Sequence, residues 1–305
     1  MGGPFFTLFV IMKKILAFII TIFIIAGCGH KSETEKDTHV QKADSGAVRI
    51  AIQPTLECLP FIVAEEKNMF DNSGVKVSLI MYTSQSDCDT AMIEKSADAM
   101  ITDIVRGEFW EKENNKKLNY ATWTNSHHML ISSKKARVKE LSQMTDKLMA
   151  MTRNSVTDML SDSAIIRAQK TPQDMFKVQI NDQEIRLNML LENKMDAAFL
   201  QYPYAAEALA NGGSLLMHGG QSESGVLAFK ENADLDEINN ILKVYDDACD
   251  TLNKQGVMKF APLIEKYMRK DIRKWGKYLK DVKFKHSMNV SRAAREKAEE
   301  WLREN

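Results

Sequence analysis

Residues Val48 to Phe70, VRIAIQPTLECLPFIVAEEKNMF, constrain the fold more than any other stretch. Val48, Ile50 and Ile52 alternate with Arg49 and Ala51, the period of a β-strand. Gln53-Pro54-Thr55 follows as a polar turn, and Leu59 to Met69 then carries apolar residues at helical spacing. Strand, loop and helix make half of a βαβ unit, so the chain reads as α/β. In an open α/β sheet the ligand sits outside the carboxyl ends of the strands. The loop Gln53 to Cys58 lies at such an end, which makes Gln53, Pro54, Thr55 and Glu57 the first candidate binding residues.

The same grammar repeats. Val75 to Met81 alternates as a second strand, and Thr83-Ser84-Gln85-Ser86-Asp87 forms a polar loop before the helical run Ala91 to Ser96. Ser84, Gln85 and Ser86 are placed to offer the start of a helix to a ligand, or simply to cap it. Ala97 to Asp103 is a third strand ending in a carboxylate, Asn119 to Trp123 a fourth and His128 to Ser132 a fifth. The pattern then restarts. Leu148 to Met151 leads into Thr152-Arg153-Asn154-Ser155-Val156-Thr157 and a helix opening at Asp158. Phe176 to Ile180 and Met195 to Leu200 read as strands around a helix at Gln183 to Glu192. Gln201-Tyr202-Pro203-Tyr204 then precedes a helix Ala205 to Ala210 and a strand Ser214 to Met217. Ser224 to Phe229 is a strand returning the chain to the first series. Helices follow at Glu237 to Leu252, through Phe260 to Trp275, and after a Ser291 cap.

Two βα series in 305 residues imply two lobes rather than one core. If they face each other, their polar loops line one cleft, the preferred place for a small-molecule site. The second series contributes Arg153, Asn154, Ser155, Gln201, Tyr202 and Tyr204. Glu57, Asp87 and Asp103 favour a cation there, whereas the helix starts at Ser84 and Ser155 favour an anion, and the residues alone leave both open. Tyr202, Tyr204 and Trp123 are candidates to stack on a flat ring, with one of the three expected to do so. His127-His128 points to opposite faces of an extended strand, so two-point metal chelation is not expected, and a surface or hinge position is. The sequence calls for no metal and no cofactor.

Met12-Lys13-Lys14, the 12-residue apolar run Ile15 to Ala26 and Gly27-Cys28 have the layout of a secretory signal, and the run is too short to span a bilayer. Ile25-Ala26-Gly27-Cys28 resembles the lipobox of bacterial lipoproteins, which implies cleavage before Cys28 and a lipid on its thiol. Met12 is a better start than Met1. Residues 28–47 are almost entirely polar and read as a disordered tether. Without residues 1–27 the chain holds 39 basic against 41 acidic residues, which gives no electrostatic case for nucleic acid. In an oxidising compartment Cys58 and Cys88, each a few residues past a strand, are either a disulfide or two separate buried thiols.

The order of Ile52-Gln53-Pro54-Thr55, Ala64-Glu65-Glu66-Lys67-Asn68-Met69-Phe70, Ala97-Asp98-Ala99-Met100-Ile101 and Asp196-Ala197-Ala198 with Tyr202-Pro203-Tyr204 resembles a known family. It is that of the ABC-transporter substrate-binding proteins similar to the aliphatic-sulfonate, nitrate and thiamine-pyrimidine binders. Asn68 departs from the pattern, since the family often has Gly in that turn. The resemblance implies a two-lobed type II periplasmic-binding-protein fold, each lobe a mixed sheet flanked by helices, with chain crossings near Leu130 to Ser133 and Ser222 to Val226. Lobe 1 would be residues 48–132 plus 223–305, with the C-terminal helices, and lobe 2 residues 133–222. It further implies a monomeric, lipid-anchored solute-binding protein of the cell envelope. Facing the periplasm or the outside, it would trap a small polar molecule by hinge closure and hand it to an ABC permease in the membrane. The competing classes are an enzyme on the same fold, as with a pyrimidine synthase or a chorismate dehydratase, and a tethered sensor or interaction protein. No Ser-His-Asp order, HExxH or P-loop speaks for the enzyme.

Overall fold

The computed structural model describes residues 46–219 and 224–305. The expected signal segment, Cys28 and residues 28–45 of the expected tether lie outside the described residues. Among the described residues ten strands form two separate five-stranded sheets. The first has the order β2-β1-β3-β10-β4, from β1 Val48–Ile52, β2 Val77–Met81, β3 Ala99–Asp103, β4 Leu118–Trp123 and β10 Gly225–Lys230. The second has the order β7-β6-β8-β5-β9, from β5 Met129–Ser132, β6 Lys147–Met151, β7 Met175–Gln179, β8 Ala197–Leu200 and β9 Ser214–His218. In each sheet four strands run in one direction, and one, β10 in the first and β5 in the second, is inserted against them. Both sheets are therefore mixed, as the sequence implies.

Why each strand turns where it does is local chemistry. β1 ends at Ile52, and a single 3-10 turn Leu56–Cys58 leads into α1 (Leu59–Glu66), whose Pro60 sits in the first turn, where its missing N–H costs nothing. Asn68 takes the left-handed conformation (φ 52°) before the short α2 (Met69–Asn72), a conformation Asn tolerates better than most residues other than Gly. Ser84 caps α3 (Gln85–Ile93), Asp103 caps α4 (Ile104–Asn114) and Ser155 caps α5 (Val156–Arg167). Asp182 caps α6 (Gln183–Leu191), and α7 is Tyr204–Ala210. In each case the side-chain oxygen takes a backbone N–H that the first turn leaves unpaired.

α8 (Leu235–Gln255) closes the first sheet. Its Ile238, Ile241, Tyr245, Ala248 and Leu252 are buried at spacings of three and four, against α1, where the rings of Phe61 and Tyr245 stand 4.9 Å apart. α9 (Ala261–Met268) and α10 (Arg292–Glu304) complete the chain. α10 lies on α4, with Arg295 paired to the buried Glu108, and Trp301 Nε1 donates to Asp162 Oδ2 on α5 in the second lobe (2.9 Å). Lys270 Nζ reaches Glu184 (2.7 Å) and Glu207 (2.9 Å), also in the second lobe. The C-terminal segment thus touches both lobes. Among the described residues no helix is long and apolar enough to cross a membrane.

The first crossing corrects the sequence reading. Met129–Ser132 pairs with β8 and β9, so it belongs to the second sheet, and the chain crosses at 124–128 rather than at Leu130 to Ser133. The expected lobe boundary at 132 moves with it. All four residues of β5 are buried, so its own pattern carries no sign of which sheet it joins. The second crossing runs between His218 and Gly225, and residues 220–223 fall outside the described residues. Gly225 opposes Asp103 in the β10–β3 ladder. A Cβ there would overlap Glu57 Oε1 and Thr124 Oγ1 and would stand 2.6 Å from Ser126 Cβ. Gly225→Ala is therefore expected to lower unfolding stability by roughly 1–3 kcal/mol in urea titrations. An unchanged midpoint would contradict this close approach.

Candidate functional site

The carboxyl ends of β1, β3, β6 and β8 converge between the two sheets, and their polar residues enclose a cavity of about 40 Å³. That is room for roughly three waters. The first lobe supplies Gln53 and Glu57 after β1, Gln85 at the start of α3, and Thr102 and Asp103 from β3. The second supplies Thr152, Ser155 and Thr157 around the start of α5, Asn181, Gln183 and Arg186 around the start of α6, and Gln201 after β8. The crossing segment adds Ser126 and His128. No hydrocarbon, Phe, Tyr or Trp side chain lines it, so recognition there rests on hydrogen bonds.

A chain of hydrogen bonds crosses the cleft. Gln183 Nε2 donates to Gln201 Oε1 (2.6 Å), and Gln201 Nε2 donates to Glu57 Oε2 (2.9 Å) and Ser126 Oγ (2.8 Å). Ser126 Oγ in turn meets His128 Nε2 (2.9 Å), and Thr124 Oγ1 donates to Glu57. Asp103 Oδ1 accepts from Arg106 N on its own lobe (2.8 Å) and from Val156 N on the other (2.9 Å). Along the seam Arg106 Nη1 donates to Arg153 O (3.2 Å), Asn181 Nδ2 to Ser86 Oγ (3.3 Å) and Leu56 N to Tyr202 O (2.9 Å). Ser84 and Asp182 form an isolated β-bridge between the lobes. The cleft is closed, and each contact joins groups that would otherwise be hydrated in an open form.

Burial sets the electrostatics. It pushes Glu57 up to about 7 and Asp103 up to about 6, in each case against hydrogen bonds that favour the charged form. It pulls His128 down to about 3, with repulsion from Arg186 and His127 adding to the effect. Arg186 is 3% exposed, and burial lowers it to about 10, partly opposed by Asp182. Its guanidinium has no carboxylate partner at salt-bridge distance among the described residues. It donates instead to Phe199 O (2.9 Å), Ile180 O and Thr152 Oγ1. Thr102 is one of the residues of the cavity wall, and its Oγ1 is fully buried with no hydrogen-bond partner among the described residues.

Of the residues expected from the sequence, Gln53, Glu57, Gln85, Asp103, Ser155 and Gln201 line this cavity. Ser84 and Ser86 lie on the interlobe seam. Thr55 is buried against Cys58 (3.7 Å), and Pro54 is outside the lining. Arg153 is exposed and contributes only its carbonyl to the seam, while Asn154 donates its backbone N–H to Asp158 (3.0 Å). None of the three aromatic candidates reaches the polar cavity. Trp123 and Tyr202 line a separate cavity of about 460 Å³ beside the first crossing, together with His127, His128 and His218. Tyr204 is buried, with the Lys270 ammonium 5.2 Å from its ring centre. Thr102, Ser126, His128, Thr152, Thr157, Asn181, Gln183 and Arg186 were not singled out as ligand contacts from sequence. The His pair sits at the hinge. Cys58 and Cys88 both lie at the carboxyl end of β1, where Cys88 Sγ donates to Ile52 O (3.9 Å), but they are separate, free and buried thiols. Burial pushes Cys58 up to about 12. Among the described residues no group of three or more His, Cys, Asp or Glu could hold a metal.

Solved structures share this architecture. One is the ligand-binding component of an ABC-type import system from Staphylococcus aureus with zinc bound, at a TM-score of 0.71 and 12% identity, covering 85% of this chain and 91% of that one. Another is the periplasmic aliphatic sulphonate binding protein SsuA from Escherichia coli, at 0.70 and 16%, covering 85% and 87%. The periplasmic nitrate-binding protein NrtA from Synechocystis PCC 6803 follows at 0.66 and 10%, covering 80% and 74%. No curated protein sequence matches the chain. At these identities the likeness is one of fold, and it defines a two-lobed α/β protein of the periplasmic-binding-protein type. The chain belongs to the NMT1/THI5-like family, whose model matches residues 55–217.

The raised Glu57 gives a pH signature. A carboxyl that holds its proton more tightly when folded adds stability below its unfolded value of about 4.3, and that stability is lost as pH rises to about 7. His128 has the opposite sign between about 3 and its unfolded value of about 6.5. The difference between wild type and Glu57→Gln isolates the first effect. Across pH 4.5 to 7.5 the variant's Tm is expected to decline less than that of wild type. Parallel curves would contradict the assignment.

Proposed function

We propose that this chain is a solute-binding protein of an ABC importer, which captures a small polar molecule in the interlobe cleft and presents it to a membrane permease. The observation that carries the reading is the wholly polar cavity at the strand ends, walled by hydrogen-bonding side chains of both lobes. Polar groups held out of bulk water are nearly always paired, so a cavity with this lining favours a ligand that supplies the partners. Family membership and the import, sulphonate and nitrate proteins of the same fold support the same reading. So does the geometry of two lobes joined by chain crossings, which lets closure sequester a solute by rigid-body rotation.

The cleft residues act by hydrogen bonding rather than by chemistry on the solute, and the protein is not an enzyme in this reading. Cys28 carries the lipid, and the polar tether keeps the body at a bacterial membrane, facing the periplasm or the outside, as a monomer. Cys28→Ser should release the protein from the membrane fraction, and continued retention would count against the anchor.

Gln53→Ala separates binding from folding. Gln53 lines the cavity, is half-buried and spends its amide N–H on Gln85 (2.6 Å), so its truncation should leave the fold intact. The affinity of whichever solute raises Tm in a screen of amino acids, sulfonates, pyrimidines and amines should fall about tenfold, or about 1.4 kcal/mol. Unaltered affinity would remove this cavity as the binding site.

A further inference from the structure

α3, α4, α5 and α6 all start at the wall of the cavity. A helix start carries partial positive charge and free N–H groups, which makes it a ready seat for an oxyanion. In this chain the seats at α4, α5 and α6 already hold a carboxylate of the protein, and at α3 the Ser84 hydroxyl accepts from Asp87 N (3.4 Å). Asp103 Oδ1 caps its own helix through Arg106 N and also reaches across the cleft to Val156 N, the first residue of α5. At α6 Asp182 Oδ1 accepts from Glu184 N (2.7 Å) and Ile185 N (3.1 Å). At α3 Asp87 lies in the first turn and accepts from Ser84 Oγ (2.9 Å) and Thr83 Oγ1 (3.3 Å).

The positive side chains nearby are also engaged. Arg106 pairs with Asp89 (2.6 Å), and Arg186, the cation in the cavity wall, directs three N–H groups to Ile180 O, Phe199 O and Thr152 Oγ1. Glu57 makes no ion pair among the described residues and is held by the hydroxyls of Thr124 and Ser126 and the amide of Gln201. The cavity therefore offers a solute two carboxyl groups set among amides and hydroxyls, with the starts of α4, α5 and α6 held by carboxylates.

We propose that Asp103 determines the specificity of the cleft: by holding the amino end of α5 it excludes oxyanions and selects a small solute that presents N–H donors and carries no negative charge. This inference rests on the solute-binding reading and narrows it. A sulfonate or nitrate entering the closed cleft would face the Asp103 and Glu57 carboxylates at close range, a like-charge approach in a poorly hydrated space. An amidine or amine meets acceptors there instead.

Isothermal titration calorimetry on the wild type, Asp103→Asn and Asp103→Ser tests it, with acetamidinium, acetamide, nitrate and methanesulfonate as probes at pH 8. Asn keeps an acceptor for Val156 N without the charge, Ser opens the seat, and circular dichroism checks that both variants are folded. The wild type is expected to bind acetamidinium or acetamide and neither oxyanion. At least one variant should gain methanesulfonate affinity by tenfold or more while losing acetamidinium. Oxyanion binding by the wild type, or variants that gain nothing, would overturn the inference and leave the solute-binding reading intact. That broader reading fails separately, if no solute class in the thermal screen alters Tm.

Discussion

The cost of burying polar groups between two lobes governs this structure. Each sheet has its own apolar core, and among the described residues no strand is shared between them. One apolar cluster, with Ile104, Val105 and Val226 from the first lobe and Val156 from the second, spans the seam. Around the cavity the lobes meet through carboxylates, amides, hydroxyls and backbone N–H groups, which are stable out of water only when paired. Asp103 shows the principle most plainly. Its carboxylate caps the helix that follows it and at the same time caps a helix of the opposite lobe. Opening the lobes exchanges the second bond for water at modest net cost, so a contact of this kind can be made and broken in a working cycle.

Position in the sheet explains why these residues meet. β1, β3, β6 and β8 are parallel within their own sheets, so their carboxyl ends deliver Glu57, Asp103, Thr152 and Gln201 to one cleft. β10 runs antiparallel and returns at the same end, where Gly225 leaves room for the Glu57 carboxyl and the Thr124 hydroxyl. The C-terminal segment bears on both lobes through Trp301 and Lys270, so any rotation of one lobe against the other would work against these contacts as well.

Much of this was legible before any coordinates. Alternation at Val48 to Ile52 and polar residues at strand ends pointed to Gln53, Glu57, Asp103, Ser155 and Gln201, because strand ends and helix starts carry local signatures. Arg186 and Gln183 were not legible: on a helix they resemble solvated residues, and only the packing of α6 against the ends of β6 and β8 turns them inward. Thr102 was hidden within a strand. α4 was not announced by apolar spacing because part of its buried face is charged, with Glu108 and Glu111 meeting Arg295 from the far end of the chain. The first crossing was misplaced because a strand buried on both faces gives no local sign of its sheet.

The central claim is that the two lobes close over a solute. The direct measurement is the distance between spin labels on cysteines introduced at Glu94 and Glu192, exposed positions on the first and second lobes. Pulsed dipolar spectroscopy would follow that distance with and without a solute that raises Tm. The account predicts that the solute draws a broad or longer distance distribution into a single shorter one. Identical distributions at saturating solute would contradict it.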